Sequence, residues 1–150
     1  MPQSLSLVIV HVIFSTKQRK PFLDDEIRES AHSYLAKVIR NTGCECYRVG
    51  GVEDHVHLAM RLSRTITIAD LIEKLKTPSS KWMKAQAENQ KAFAWQRGYG
   101  CFSISPNDLK ALIEYIDNQK QHHRKRTFQD EFRMFLNKYG VEYDEAYVWD

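Results

Sequence analysis

Two histidines one residue apart, His55-Val56-His57, open an apolar run that reads as a strand from His55 to Leu62. Alternate side chains of a strand share a face, so both imidazoles project from one side, about 6–7 Å apart along the backbone, where one cation could bridge them. Tyr115 and Gln119 lie four residues apart in a helical pattern and project from one side, a hydroxyl nucleophile one turn from an amide oxygen. Each pair also has a plainer account. The chain has six histidines, and Tyr115 between Leu112, Ile113 and Ile116 suits a core ring with its hydroxyl at an edge; on spacing alone these accounts weigh more. Asp54 suits a turn residue better than a partner that orients His55.

The basic residues fall in two groups. Lys120, Arg124, Lys125 and Arg126 crowd around His122 and His123, and Lys17, Arg19 and Lys20 form the other. Such runs are commonly solvated helix ends, but they also suit salt-sensitive contact with a phosphate backbone, and His122 and His123 fit there as phosphate contacts.

The elements that must position these groups follow from hydrophobic period and turn chemistry. Ser4 to Ser15 is predicted as a central strand rich in β-branched residues, followed by a helix capped by Asp24 or Asp25 and closed by Asn41 and Gly43. Cys44 to Val49 and His55 to Leu62 form two strands joined through Gly50-Gly51-Val52-Glu53-Asp54. Thr67 caps a second helix that Pro78 and Ser79-Ser80 are expected to interrupt, and Phe93 to Ser105 reads as the last strand. The order β-α-β-β-α-β is α+β and ferredoxin-like, shared with RNA-recognition domains: an antiparallel sheet with both helices on one face, leaving the other open. A third helix starts at Pro106-Asn107-Asp108 and runs to about His123; a short one follows from Phe128 to Leu136, and Tyr139, Tyr143, Tyr147 and Trp149 staple the tail to the body.

With 150 residues, a net charge of +3 and 43% hydrophobic residues, the chain is expected to form one domain over 1–150, with a core over 1–105, the tyrosine helix over about 107–123 and a tail over 124–150. No apolar run is long enough to cross a membrane, and Leu5 to Phe14 lacks the basic start of an export signal. Cys44, Cys46 and Cys101 are too few for a disulfide scaffold and lack zinc-site companions, so they read as reduced packing residues of a cytoplasmic protein. No phosphate-binding loop of the G-x-x-x-x-G-K-[ST] type is present, and Gly98-Tyr99-Gly100 is too short and wrongly placed to imitate one, consistent with a chemistry that requires no nucleotide hydrolysis.

In order and separation, Asp54-His55-Val56-His57-Leu58, Leu75 to Trp82 (LKTPSSKW), Trp95 to Ser105 (WQRGYGCFSIS) and Tyr115 to Phe128 (YIDNQKQHHRKRTF) resemble the single-tyrosine HUH transposases of the insertion sequence 200/605 type. The resemblance covers essentially the whole chain. It implies His55, His57 and Gln119 as ligands of a divalent metal, Mg2+ or Mn2+, and Tyr115 as the nucleophile in single-stranded DNA cleavage through a 5′-phosphotyrosine link. It also implies hairpin-containing element ends as substrate, and a homodimer in which the histidine pair of one chain meets the tyrosine helix of the other. Lys120, Arg124, Lys125, Arg126, Lys17 and Arg19 are the expected DNA contacts. Two other readings remain: a non-catalytic RNA-recognition-like module, of which Gly98-Tyr99-Gly100-Cys101-Phe102 is a partial echo, and a metal-dependent nuclease that activates water without a covalent intermediate.

Overall fold

The computed structural model describes residues 2–150. Four strands, β1 (Ile9–Ser15), β2 (Glu45–Val52), β3 (His55–Arg61) and β4 (Gly100–Ile104), form one antiparallel sheet in the order β2-β3-β1-β4. Helices α1 (Arg28–Asn41) and α2 (Ile68–Lys84) complete the expected β-α-β-β-α-β order. After them come α3 (Leu109–Asp117), α4 (Gln119–His122) and α5 (Phe128–Lys138).

The sheet has two differently used faces. Val10, Val12 and Phe14 of β1 alternate with His11 and Ile13, and they join Val56, Leu58 and Met60 of β3 in one core with Leu35 and Ile39 of α1 and Leu71 and Leu75 of α2. On the opposite face, Ile13 and Phe102 meet Phe128, Phe132 and Phe135 of α5, while Ala59 meets Leu112 and Ile116 of α3. Each buried aromatic of α5 contributes about 2–3 kcal/mol by leaving water, which anchors a helix the four-stranded core does not itself require. Two glycines let these helices sit close. A Cβ on Gly50 of β2 would stand 2.5 Å from Ile116 Cγ2 of α3, and one on Gly100 of β4 would stand 2.8 Å from the Phe132 ring of α5.

Several boundaries differ from the sequence expectation, each for a local reason. β1 begins at Ile9 rather than Ser4 because Ile9 is the last residue paired with both Arg61 and Ile104; beyond it Leu5 and Leu7 are exposed. β2 continues through Gly50 and Gly51 to Val52, leaving only Glu53 and Asp54 as the turn. Pro78 does not interrupt α2. The helix runs through it because the carbonyl that proline leaves unpaired belongs to exposed Lys74, while the buried stripe Leu71, Leu75, Ser79 and Met83 continues on both sides of the proline. Phe93 to Tyr99 is not strand. Lys76 Nζ donates to the carbonyls of Gln96, Arg97 and Gly98 at 2.7, 3.1 and 2.7 Å and gathers them into a loop. The third helix breaks at Asn118 (φ −100°, ψ 21°), so Tyr115 and Gln119 belong to α3 and α4.

Candidate functional site

β3 carries His55 and His57 on the face away from α1 and α2, and with neighbours on both sides neither imidazole is accessible to solvent. The two-residue turn places Asp54 Oδ1 2.7 Å from His55 Nδ1, so Asp54 is a turn residue that also orients the imidazole, a role the sequence reading ranked second. Behind His57, His11 of β1 stacks ring to ring at 5.0 Å and brings its Nε2 to 2.8 Å from His57 Nδ1. Both histidines therefore turn Nε2 toward the space under α3, α4 and α5.

That space is filled by a side chain not among the candidates: Glu131 of α5, fully buried. Its Oε1 lies 2.9 Å from His57 Nε2, 3.2 Å from His55 Nε2 and 3.1 Å from His123 Nε2. Its Oε2 accepts from the Tyr115 hydroxyl and, at 3.1 Å, from Gln119 Nε2. Gln119 Oε1 accepts from His55 Nε2 at 3.0 Å. The expected Tyr115, His55, His57 and Gln119 thus come together despite the break at Asn118, because Tyr115 and Gln119 converge on one carboxylate. The signal for Glu131 was in the sequence. It lies on the apolar stripe of Phe128, Phe132 and Phe135, where an acidic residue at a core position asks for a partner. His123 turns inward onto Glu131 with its ring 4.4 Å from that of His55, not outward as a phosphate contact, and the His122 ring stacks on Tyr115 at 4.4 Å.

The electrostatics follow from burial and these contacts. Burial opposes ionisation of Glu131, but hydrogen bonds from His123, His55 and His57 outweigh it and hold the carboxyl far below the usual range. Burial likewise opposes charge on His55, yet Asp54 and Glu131 raise its pKa to about 9, making it the cationic member. His57 is lowered to about 4 by burial and is neutral. Burial and the Glu131 charge push the Tyr115 phenol upward, so its proton is held firmly between the two oxygens.

The donor set suits a divalent cation. One atom each from His55, His57, His123 and Glu131 lie within 4.8 Å of one another, three imidazole nitrogens and one carboxylate oxygen. Basic residues flank the His55 end. Arg124, Lys125 and Arg126 line a hollow of about 450 Å3 together with Asp54, His123 and Phe128. Lys17 and Arg19 follow Thr16, whose N–H donates to the Asp54 carbonyl at 2.9 Å. Lys120 is exposed, 4.0 Å from Asp25. All of these groups belong to one chain.

Comparison with known proteins bears on family and fold. A family model described as "Transposase IS200 like" matches residues 4–119. The ISDra2 transposase TnpA of Deinococcus radiodurans is 25% identical over 114 residues, covering 73% of this chain and 81% of that protein. In fold, the chain is similar to a crystal structure from D. radiodurans R1 assigned as a transposase (TM-score 0.62, 23% identity, 79% of this chain and 98% of that one). It is also similar to a REP-associated tyrosine transposase bound to a REP hairpin (TM-score 0.60, 14% identity, 82% and 74%). The matched family segment ends at Gln119, so His123 and Glu131 lie outside it.

Proposed function

The chain belongs to the IS200-like transposase family, and from that premise we propose that it cuts and rejoins single-stranded DNA by transesterification, with Tyr115 as nucleophile. The observation that carries this reading is the convergence of the Tyr115 hydroxyl and both β3 histidines on Glu131. His55, His57 and Glu131, with Gln119 and His123 beside them, are the residues that would hold the metal, Mg2+ or Mn2+. Bound there, the ion supplies charge withdrawal from a phosphate and alignment of it for attack.

The remaining work belongs to the chain. The phenolic oxygen of Tyr115 bonds to phosphorus as the bond from phosphorus to the 3′ oxygen breaks, giving a 5′-phosphotyrosine and a free 3′-hydroxyl. Glu131 Oε2, as acceptor of the Tyr115 hydroxyl hydrogen bond, orients the phenol; its proton is released to solvent as attack proceeds, and the departing 3′ oxygen takes up one proton from water, so the proton count is unchanged. Attack by a 3′-hydroxyl on the link reverses the sequence and rejoins strands, so no nucleotide is hydrolysed. Arg124, Lys125, Arg126, Lys17, Arg19 and Lys120 contact the backbone around the site. Hairpin-bearing strands are the favoured substrate, in keeping with the REP hairpin held by a relative of the same fold. Free cysteines at 44, 46 and 101 and a DNA substrate fit work in the cytoplasm. Among the described residues no helix is long and apolar enough to cross a membrane.

The test is covalent trapping on hairpin-flanked single strands taken from the genomic surroundings of the gene. Tyr115→Phe is expected to abolish the protein–DNA adduct while leaving the chain folded and its single-strand affinity within twofold of wild type. Cleavage that persists in Tyr115→Phe without any adduct would instead establish a hydrolytic nuclease, in which the histidines serve a water.

A further inference from the structure

Next to Tyr115, on the side away from the basic hollow, a cleft of about 450 Å3 opens between α3 and α5. Its floor is His11 of β1 with the Ser103-Ile104 end of β4. Along one wall Asp108, Ala111 and Tyr115 recur at helical spacing; along the other stand Phe135, Lys138 and Tyr139. Tyr115 belongs to both this cleft and the candidate site. A strand whose phosphate meets the Tyr115 hydroxyl therefore has its neighbouring nucleotide at the mouth of the cleft.

The lining combines aromatic and polar groups. The Phe135 ring meets the His11 and Tyr115 rings edge-on at 5.0 and 5.7 Å, and Tyr139 lies parallel to Phe102 at 4.8 Å. Asp108 and Lys138 put an acceptor and a donor of opposite charge on the two walls. His11 supplies an independent clue. Its imidazole is fully buried, Nε2 is engaged by His57, and Nδ1 has no hydrogen-bond partner. With His57 Nε2–H directed at Glu131, His57 Nδ1 accepts from His11 Nε2–H, and His11 Nδ1 retains an unused lone pair. A buried acceptor left without a donor is unfavourable, and His11 belongs to the cleft lining, so a donor entering there would meet the one unpartnered polar atom of that residue. A purely apolar occupant would satisfy neither that nitrogen nor the flanking charges. A flat ring with donors and acceptors on its edge satisfies all of them, and base-on-aromatic contact is the usual way single strands are held.

We propose that the α3–α5 cleft is a nucleobase pocket, which holds one unpaired base of the strand adjoining the phosphate at Tyr115. The inference rests on the single-strand reading above but concerns binding, and it is tested without cleavage. Fluorescence anisotropy is measured with a labelled mixed-sequence 12-nucleotide strand and with an abasic strand of the same length and charge. Wild type is compared with Ala111→Leu and Ala111→Trp, which fill the cleft from an exposed helical position. Affinity for the base-bearing strand is expected to fall in order of side-chain volume, reaching about tenfold for Ala111→Trp, the size of one lost stacking contact, with abasic affinity and melting temperature unchanged. In parallel, 2-aminopurine placed at successive positions should be quenched at one position in wild type and released in Ala111→Trp. Equal losses on both strands, or none on either, would overturn the pocket while leaving single-strand binding intact. Failure of wild type to bind either strand would overturn the single-strand reading itself.

Discussion

Glu131 Oε1 stands within 3.2 Å of three imidazole nitrogens and Oε2 accepts the Tyr115 hydroxyl hydrogen bond, so one carboxylate joins the two halves of the site. Removing its charge but not its shape separates these roles. Glu131→Gln leaves cationic His55 with only Asp54 as an anionic partner, and breaking a buried pair in this way costs about 3 kcal/mol. The variant is expected to melt lower than wild type without metal. It should also lose most of the rise in melting temperature that Mn2+ gives wild type, as read by paired thermal scans with and without the ion. An undiminished Mn2+ response in Glu131→Gln would remove the carboxylate from the ligand set and leave His55, His57 and Gln119 as the candidates.

At the scale of elements, the distance between Tyr115 and the histidines is fixed by how closely α3 lies on β2. Gly50 is the contact point: the Cβ of any other residue would stand 2.5 Å from Ile116 Cγ2 and 3.2 Å from the Ile116 carbonyl oxygen. Ile116 follows Tyr115 directly, so displacing it displaces the nucleophile. Gly50→Val is expected to cost about 1–3 kcal/mol in urea unfolding through overpacking. Adduct formation should fall far more steeply, by about 100-fold, since a shift on the order of 1 Å at a reacting atom has that effect. If adduct yield tracks stability alone, α3 tolerates displacement and its seat on β2 is not what positions Tyr115. The break at Asn118 is another adjustment on this scale, because it lets Gln119 reach His55 while α3 stays on the sheet.

On the scale of the whole molecule, the family resemblance implies a site in which the tyrosine helix of one chain meets the histidines of another. The fold offers a route within one chain, because α3 packs on its own β2 and β3 while α5 packs on β1 and β4 and against Tyr115. Mixing Tyr115→Phe with His57→Ala distinguishes the two. If each chain works alone, adduct formation stays below about 1% of wild type; recovery toward a quarter of wild type would show that subunits exchange their tyrosine helices.

Hydrophobic period, caps and turn residues are local, and they were enough to place the four strands, the helices α1 to α3 and the short helix over α5 in order. Thr67 caps α2 through its own side chain, as its residue type requires, whereas Asp24 accepts from Glu26 and Ile27 in the turn before α1, whose N-cap is Ile27 without a side-chain bond. The ordered pieces around His55, His57, Tyr115 and Gln119 also sufficed to identify the family, which needs only residue identity and separation. Continuity of α2 through Pro78 was not legible, because it depends on Lys74 facing water and Leu71, Leu75 and Ser79 facing the sheet. Glu131 was visible as an acid on an apolar stripe, but not its partners, since His55, His57, His123 and Tyr115 are adjacent to it only after α5 crosses the sheet. Burial and convergence are properties of tertiary packing: the chain states which groups exist, and only the folded sheet with its second layer of helices decides which share one dry volume.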